Sequence, residues 1–348
     1  MTDFEKVTEF HNMYQAFRRA KSGKGFKQSS ARFNASALDG IHRLIDQLNA
    51  KTYAVSEYNE FMVYEPKERL IQTTSFKDKV VQHCLCDNVI MPRLSKVFIK
   101  ENCAGQIGKG TLYGLDLLSE QMEQFYGKYG FEGYILKCDI TKYFYNIRHD
   151  KLKDIIQYYF GYDQDICWLC NLFIDSTNGD GLPLGNQINQ GFALLYLDSM
   201  DKLIKCELGI EYYGRYMDDF YLIHHSKDYL KYCLEVICEY LKTLGLTANG
   251  KTQVFPFKNG LSYLGFHTYV GNKGLTVRKL KNQNKRNAQR KLARMAKLAA
   301  DGKIPIEKFW KSYNSWKNHI SHGNCYHLGK AMDQKIYGIL KERYQCPD

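Results

Sequence analysis

No apolar run in this 348-residue chain approaches the ~20 residues that a membrane-spanning helix needs. The opening MTDFEKVTEF has an acidic stretch where a signal peptide has basic and apolar regions. Both absences favour a soluble, cytoplasmic protein with no membrane partner. There is no internal repeat and no low-complexity linker. A disulfide scaffold is disfavoured too, because the 11 cysteines are odd in number and irregular in spacing. The one CxxC pair, Cys167 and Cys170 in CWLC, has no second CxxC and no nearby pair of histidines. It lies in an apolar run and reads as two buried thiols rather than a zinc site. AGQIGKGT (Ala104–Thr111) lacks the GxxxxGK[ST] spacing, which removes the phosphate loop of nucleotide hydrolases. Acids are missing from two stretches. Residues 10–38 carry six basic residues and no acid, and residues 271–300 carry ten and no acid.

What is present is a globular composition, 44% hydrophobic and 25% charged, long enough for a sizeable core. Lys plus Arg number 49 against 37 Asp plus Glu, a net charge of +12 that suits a polyanionic partner. The basic stretch at 10–38 reads as a mobile arm or a loop between helices. ALDGIHRLIDQLNA has helical periodicity, with Leu38, Ile41, Leu44, Ile45 and Leu48 on one face. Two strands are expected around a turn at Glu65-Pro66, then a helix ended by Pro92. YILKCDITKYFYNI has strand character with Asp139 near its end. HDKLKDIIQYYF is an amphipathic helix, and a Gly-rich turn, NGDGLPLGNQINQ, leads into another. IEYYGRYMDDFYLIHHS reads as strand, tight turn at Met217–Asp218, strand. This mixture predicts an α+β fold. Beyond residue 270 the chain turns basic and helix-prone, and Phe309, Tyr313, Trp316 and Ile320 share one helical face. The expected division is therefore 1–270 and a basic helical domain over 271–348.

Asp218 and Asp219 sit inside an apolar, aromatic run. Paired carboxylates repel, and burying them costs several kcal/mol unless their charge is compensated. A solvated turn explains most lone Asp pairs. Here Tyr213, Tyr216, Phe220, Tyr221 and Leu222 surround the pair, and a second Asp-bearing strand precedes it. A hard divalent cation, Mg²⁺ or Mn²⁺, suits such oxygen ligands. Asp139 is the best third carboxylate. Two strands side by side could place it and Asp218 around two metals about 4 Å apart.

At this point the residues resemble a family. YMDD between two strands, preceded by KCDITKYFYNI and GLPLGNQ, resembles the palm of a reverse transcriptase. PKERLIQTTSFKDKVVQHCL is similar to the fingers block, and LGLTANGKTQVF and LSYLGFHTY are similar to the two late palm blocks. The basic tail fits the thumb. The blocks stand in the family's order over most of the chain. The resemblance implies a right-hand polymerase: fingers and palm over 1–270, with palm carboxylates at 139 and 218–219, and a thumb over 271–348. It implies RNA-directed DNA synthesis by two-metal nucleotidyl transfer, with RNA template, primer and dNTPs as partners. Asp139, Asp218 and Asp219 would be the catalytic carboxylates, and with the Ile140 backbone carbonyl they would hold two Mg²⁺, for which Mn²⁺ can substitute. Phe144 would be the steric gate against a 2′-hydroxyl. Lys67 and Arg69 would meet the triphosphate, as Arg forks and Lys point charges suit phosphate oxygens. Lys251, Leu184, Gly185 and Gln187 would also face the nucleotide. Tyr216 and Met217 would floor the primer end, Gly265 would let the backbone approach the primer, and Arg278, Lys285, Arg286 and Arg290 would hold the template-primer backbone. AGQIGKGT becomes a flexible basic loop near the template.

Many reverse transcriptases have Gln after the Pro of the GLPLGNQ block; here Leu184 stands there. LPLGNQINQ resembles the block of bacterial and phage diversity-generating retroelements, with Asn189 in place of that group's usual Ser. RYMDDFYLIHHSKDYL and FKDKVVQH are similar to that group as well. The resemblance implies copying of a template-repeat RNA, misincorporation opposite adenine, and a small helical accessory variability protein as partner. Two rivals stand beside it. One is a reverse transcriptase of a phage-defence system. The other is a catalytically silent RNA-binding protein of the same fold, whose expected signature, loss of a carboxylate, is absent here.

Overall fold

Alternating apolar residues set the strands, and tight turns set their order. In the computed structural model, which describes residues 1–64, 68–177 and 179–344, nine strands are formed. They are β1 (Asn59–Val63), β2 (Arg69–Thr73), β3 (Tyr134–Asp139), β4 (Tyr212–Tyr216), β5 (Asp219–His224), β6 (Gln253–Pro256), β7 (Leu261–Tyr263), β8 (Phe266–Val270) and β9 (Thr276–Leu280). β1 and β2 make an antiparallel hairpin, with Phe61 opposite Ile71. A four-stranded sheet has the order β4-β5-β3-β6, and β7-β8-β9 form an antiparallel meander. The rest is largely helical, so the α+β expectation holds. The expected turn at Glu65-Pro66, and Lys67 with it, lies outside the described residues.

The chain packs as two units that do not follow its linear order. The first comprises Met1–Gly110, Lys137–Tyr221 and Lys231–Gln253; the second comprises Thr111–Leu136, Leu222–Leu230 and Val254–Asp348. Strands β3, β5 and β6 each run from one unit into the other.

In the first unit the basic stretch at 10–38 is mostly helical, not an arm. Phe10–Lys21 and Gln28–Ala35 are helices, and hydrogen-bonded turns at Lys21–Lys24 and Lys24–Lys27 join them. Met13, Ala16, Phe17 and Ala20 supply an apolar stripe at helical spacing, which is what orders the segment. In the next helix, Ala37–Asn49, Ile41, Leu44 and Leu48 are buried as expected, but Leu38 is exposed in the first turn. Pro92 does not end its helix. Phe76–Leu85 continues through a π-helical turn at Cys86–Ile90 into Met91–Leu94, with Pro92 at the start of that last piece. The widened turn re-spaces the backbone ladder, so the missing N–H of proline is tolerated there. Cys167 and Cys170 are free, buried thiols.

AGQIGKGT is pinned rather than flexible. Lys109 Nζ donates to the carbonyls of Ile99, Lys100 and Asn102, at 3.2, 3.3 and 2.9 Å. Just before it, Glu101–Cys103 runs along β4, with Arg215 N donating to Glu101 O at 2.9 Å and Cys103 N to Arg215 O at 2.8 Å. A strand edge covered in this way offers no template for another chain.

In the second unit the helix Asn282–Ala300 buries Leu292, Ala296 and Ala299 against Phe309, Tyr313, Met332 and Ile336. Phe309 and Tyr313 come from the expected aromatic face, now the helix Ile306–Ile320. A second cluster joins Leu115, Phe266, Leu280, Ile320 and Cys325. Strand β9, in the basic segment read as wholly helical, pairs with β8. Its TVRKL has no clean period-2 alternation, since Arg278 and Lys279 are adjacent, and the surrounding charge run adds to the concealment.

Candidate active site

β3 ends at Asp139, and the two-residue turn Met217–Asp218 joins β4 to β5, which begins with Asp219. β5 and β3 are neighbours in the sheet, so the turn and the end of β3 share one region of the first unit. The Asp139 and Asp218 carboxyls lie within hydrogen-bonding reach of each other. Burial raises the Asp218 pKa, the charge and hydrogen bond of Asp139 raise it further, and the Arg69 guanidinium opposes them. Burial also pushes Asp219 up to about 6, against Lys137, with Asp139 and Asp218 adding to the rise. Lys137 Nζ stands 3.4 Å from the Asp219 carboxylate. That ammonium donates to Asp219 Oδ2 and is the ion-pair partner of Oδ1, which is buried and makes no hydrogen bond among the described residues.

A chain segment after the helix Lys227–Thr243 fixes Asp139. Asn249 N donates to Asp139 O at 2.7 Å, and Asn249 Nδ2 to Asp139 Oδ2 at 3.3 Å. Ile140 is buried and bridges to Ala248.

These residues fit a divalent cation. Two carboxyls destabilise each other's charge, and burial raises the third although one ammonium faces it; a hard cation stabilises all three as carboxylates. Among the described residues no three His, Cys, Asp or Glu side chains form a ready cage. Mg²⁺ does not need one, since it keeps several waters and is commonly held by one or two carboxylates plus substrate phosphates.

Phe144 is half-buried on the 3₁₀ turn Tyr143–Asn146, its ring edge-on to that of Tyr143 with centroids 5.7 Å apart. Tyr143 is buried and its hydroxyl donates to Ala193 O. The Phe144 carbonyl accepts from Leu182 N at 2.7 Å, which ties this turn to the Gly-rich loop. Further along that loop the Leu184 carbonyl accepts from Gln72 N at 3.0 Å, so β2 and the loop are joined. Gly185 follows with φ +122°, close to Ile71 and Gln72. Gln187 Nε2 donates to Asp87 Oδ1 at 3.3 Å, directing that amide to a neighbouring carboxylate. Asn189 is buried and donates to Pro183 O at 2.9 Å, bracing the loop. Tyr216, at the end of β4, and Met217, in the turn itself, are half-buried, while Arg69 and Lys251 are exposed.

The remaining expected nucleic-acid contacts belong to the second unit. Gly265 forms with Leu264 a two-residue hairpin turn, both at positive φ, and its carbonyl accepts from Lys281 N and from Asn284 Nδ2. Arg278 is spent internally. Its guanidinium donates to Leu115 O, Asp116, Ser119 and His322 O at 2.7–2.9 Å. Lys285, Arg286 and Arg290 are all exposed on the helix Asn282–Ala300, in the part that precedes its buried residues Leu292, Ala296 and Ala299.

Sequence reasoning missed Asn249, Lys137 and Arg215. A charged residue in the apolar strand three places before the aspartate pair was the available signal for Arg215. Lys137 stands two places before Asp139 in a similarly apolar strand.

The chain matches the family described as "Reverse transcriptase (RNA-dependent DNA polymerase)" over residues 65–268. No curated protein matches it in sequence. Among solved structures, apo telomerase of Candida tropicalis truncated from the C-terminal domain has a TM-score of 0.46 and 14% identity, covering 68% of this chain and 57% of that one. Telomerase of Candida albicans, in complex with a TWJ fragment of telomeric RNA, has a TM-score of 0.46 and 12% identity, covering 85% of this chain and 63% of that one. This chain therefore spans less than two thirds of either telomerase chain. No described helix is long and apolar enough to cross a membrane. With more than half of its length matched, from the β1–β2 connection to β8, the chain belongs to the reverse transcriptase (RNA-dependent DNA polymerase) family, whose chemistry is nucleotidyl transfer.

Proposed function

We propose that this chain copies an RNA template into cDNA as the error-prone polymerase of a diversity-generating retroelement. The observation that carries the polymerase reading is the pair Asp139 and Asp218, in which the Asp139 carboxyl raises the pKa of Asp218, with the buried Asp219 carboxyl next to Asp218 in the chain. Asp139, Asp218, Asp219 and the Ile140 carbonyl would hold two Mg²⁺ or Mn²⁺ ions. Bound there, the ions lower the pKa of the primer 3′-hydroxyl and neutralise charge on the triphosphate. The chain's own residues do the rest. Asn249 fixes Asp139 at both backbone and side chain. Arg69, whose charge reaches Asp218, meets the triphosphate, and Lys67 and Lys251 add to it. The Phe144 ring would act as the steric gate against a 2′-hydroxyl. Tyr216 and Met217 support the primer terminus, and Lys285, Arg286 and Arg290 hold phosphates.

Leu184 and the LGNQ block support the retroelement reading. An apolar side chain replaces an amide near the nascent pair, and loss of a polar contact weakens discrimination between right and wrong geometry. A small helical accessory protein is the expected partner, alongside template, primer and dNTPs. Primer extension on poly(rA)·oligo(dT) with Mg²⁺ or Mn²⁺ tests the polymerase. Extension by the wild type and none by Asp218→Ala is expected; equal extension by both would refute the assignment of the site.

A further inference from the structure

The turn that presents Asp218 is strained and has a support. Met217 has φ +56°, a left-handed conformation that a side chain disfavours. Its carbonyl accepts from Arg215 Nη1 at 3.1 Å. Arg215 is wholly buried, as is Asp201, the partner that holds it. Nε and Nη2 of Arg215 grip the two Asp201 oxygens at 2.6 and 2.5 Å. Tyr213 Oη donates to Asp201 Oδ1 at 2.6 Å, and Arg215 Nη2 reaches Leu194 O at 3.3 Å. The backbone of Arg215 is clamped on its other side by Glu101 and Cys103. A guanidinium thus links three segments, with Nη1 donating to one carbonyl of the turn.

Stability alone is a weak reason to keep such a pair. Burial opposes the charge on Arg215, and the Asp201 carboxylate outweighs that opposition and keeps the group cationic. Well-packed apolar residues of similar volume often replace a buried ion pair without loss of stability. What apolar residues cannot do is donate to the Met217 carbonyl and fix the bend.

We propose that Arg215, locked by Asp201, is a positioning residue that holds the Met217–Asp218 turn in its left-handed geometry and so sets where the Asp218 carboxylate stands. The effect on catalysis rests on the polymerase reading of the site; the effect on the turn does not.

Two variants test it. Arg215→Lys keeps the charge, but a single ammonium cannot reproduce the planar fork that reaches Asp201, Leu194 and Met217 together. Tyr213→Phe/Asp201→Leu/Arg215→Met removes the network while leaving no buried charge behind. Each is measured by hydrogen–deuterium exchange of peptides covering 214–220, by thermal melting, by primer-template affinity, and by single-nucleotide incorporation. The expected result is faster exchange confined to the turn, with melting and primer-template affinity retained and kcat lowered about 100-fold, the scale of a small misplacement at a reacting centre. Unchanged exchange at the turn in Arg215→Lys, or wild-type kcat in the folded triple variant, would overturn the proposal. Should the triple variant not fold, Arg215→Lys decides by exchange and kcat together. A wild type that extends no primer would sink the polymerase reading, while the exchange measurement would still decide whether Arg215 holds the turn.

Discussion

Replacing Gly181 with alanine tests whether the Gly-rich loop holds the proposed gate. Gly181 has φ +98°, and a Cβ there would lie 2.8 Å from the Tyr145 carbonyl oxygen and 3.1 Å from its Cα. The obstacle is backbone, so no side chain can swing away. The positive φ alone costs about 1–3 kcal/mol for a residue other than glycine. Relieving the collision must stretch Gly181 N–Ile147 O, at 2.8 Å, or Leu182 N–Phe144 O, at 2.7 Å. Each such bond contributes about 1 kcal/mol net. The sum is about 2–5 kcal/mol, concentrated on the turn that carries Phe144. Gly209→Ala is the control, because its φ is +57° and a Cβ there meets nothing within 4 Å. That control should cost only about 1–2 kcal/mol of backbone strain. The assay pairs urea unfolding with single-nucleotide incorporation of dNTP against rNTP on an RNA template. Gly181→Ala should unfold at lower urea than Gly209→Ala, and its dNTP preference should fall about 10-fold, comparable to a small misfit in a binding pocket. Equal unfolding of the two variants with unchanged dNTP preference would refute the coupling of this loop to Phe144.

Phe144→Val should admit ribonucleotides while retaining dNTP incorporation; a ratio of rNTP to dNTP kcat/KM equal to that of the wild type would remove Phe144 as the gate. Leu184→Gln should lower the error rate opposite template adenine, and sequencing cDNA from both enzymes shows whether it does; an unchanged adenine error spectrum counts against the role of Leu184. Lys285→Gln/Arg286→Gln/Arg290→Gln should weaken template-primer binding alike for all sequences. Its plot of log affinity against log salt should lose about 0.9 of slope for each phosphate contact removed; an unaltered slope would place the nucleic acid elsewhere.

The strands around the aspartates were legible because their apolar residues are crowded and the turn between them is short. Asp139, Asp218 and Asp219 could be paired from sequence alone, since repulsion in an apolar setting demands a partner. The helix at Phe10–Lys21 was hidden by its charge. A count of basic residues sees an arm, whereas Met13, Ala16, Phe17 and Ala20 show a buried stripe. Pro92 misled because its effect depends on the turn before it, and a π-turn has no single-residue signature. Arg278 looked like one more phosphate contact among ten basic residues. Its distinction is four acceptors from other segments, and sequence does not display those. Asn249 illustrates the same limit: its partner lies 110 positions away.

The second unit is assembled from three stretches of chain, and its small core draws Leu115 from one of them and Phe266, Leu280, Ile320 and Cys325 from another. Modularity is therefore denied to the basic carboxy-terminal segment. Excised at residue 270, it would leave behind Leu115 and Phe266, together with the Leu115, Asp116 and Ser119 acceptors that satisfy Arg278. Exchange of this segment between relatives requires the helix Thr111–Tyr129 and strand β8 to travel with it. Recombination at a single crossover in this gene would be expected to yield chimeras with an unsatisfied guanidinium and a torn core, so the two halves should be inherited together.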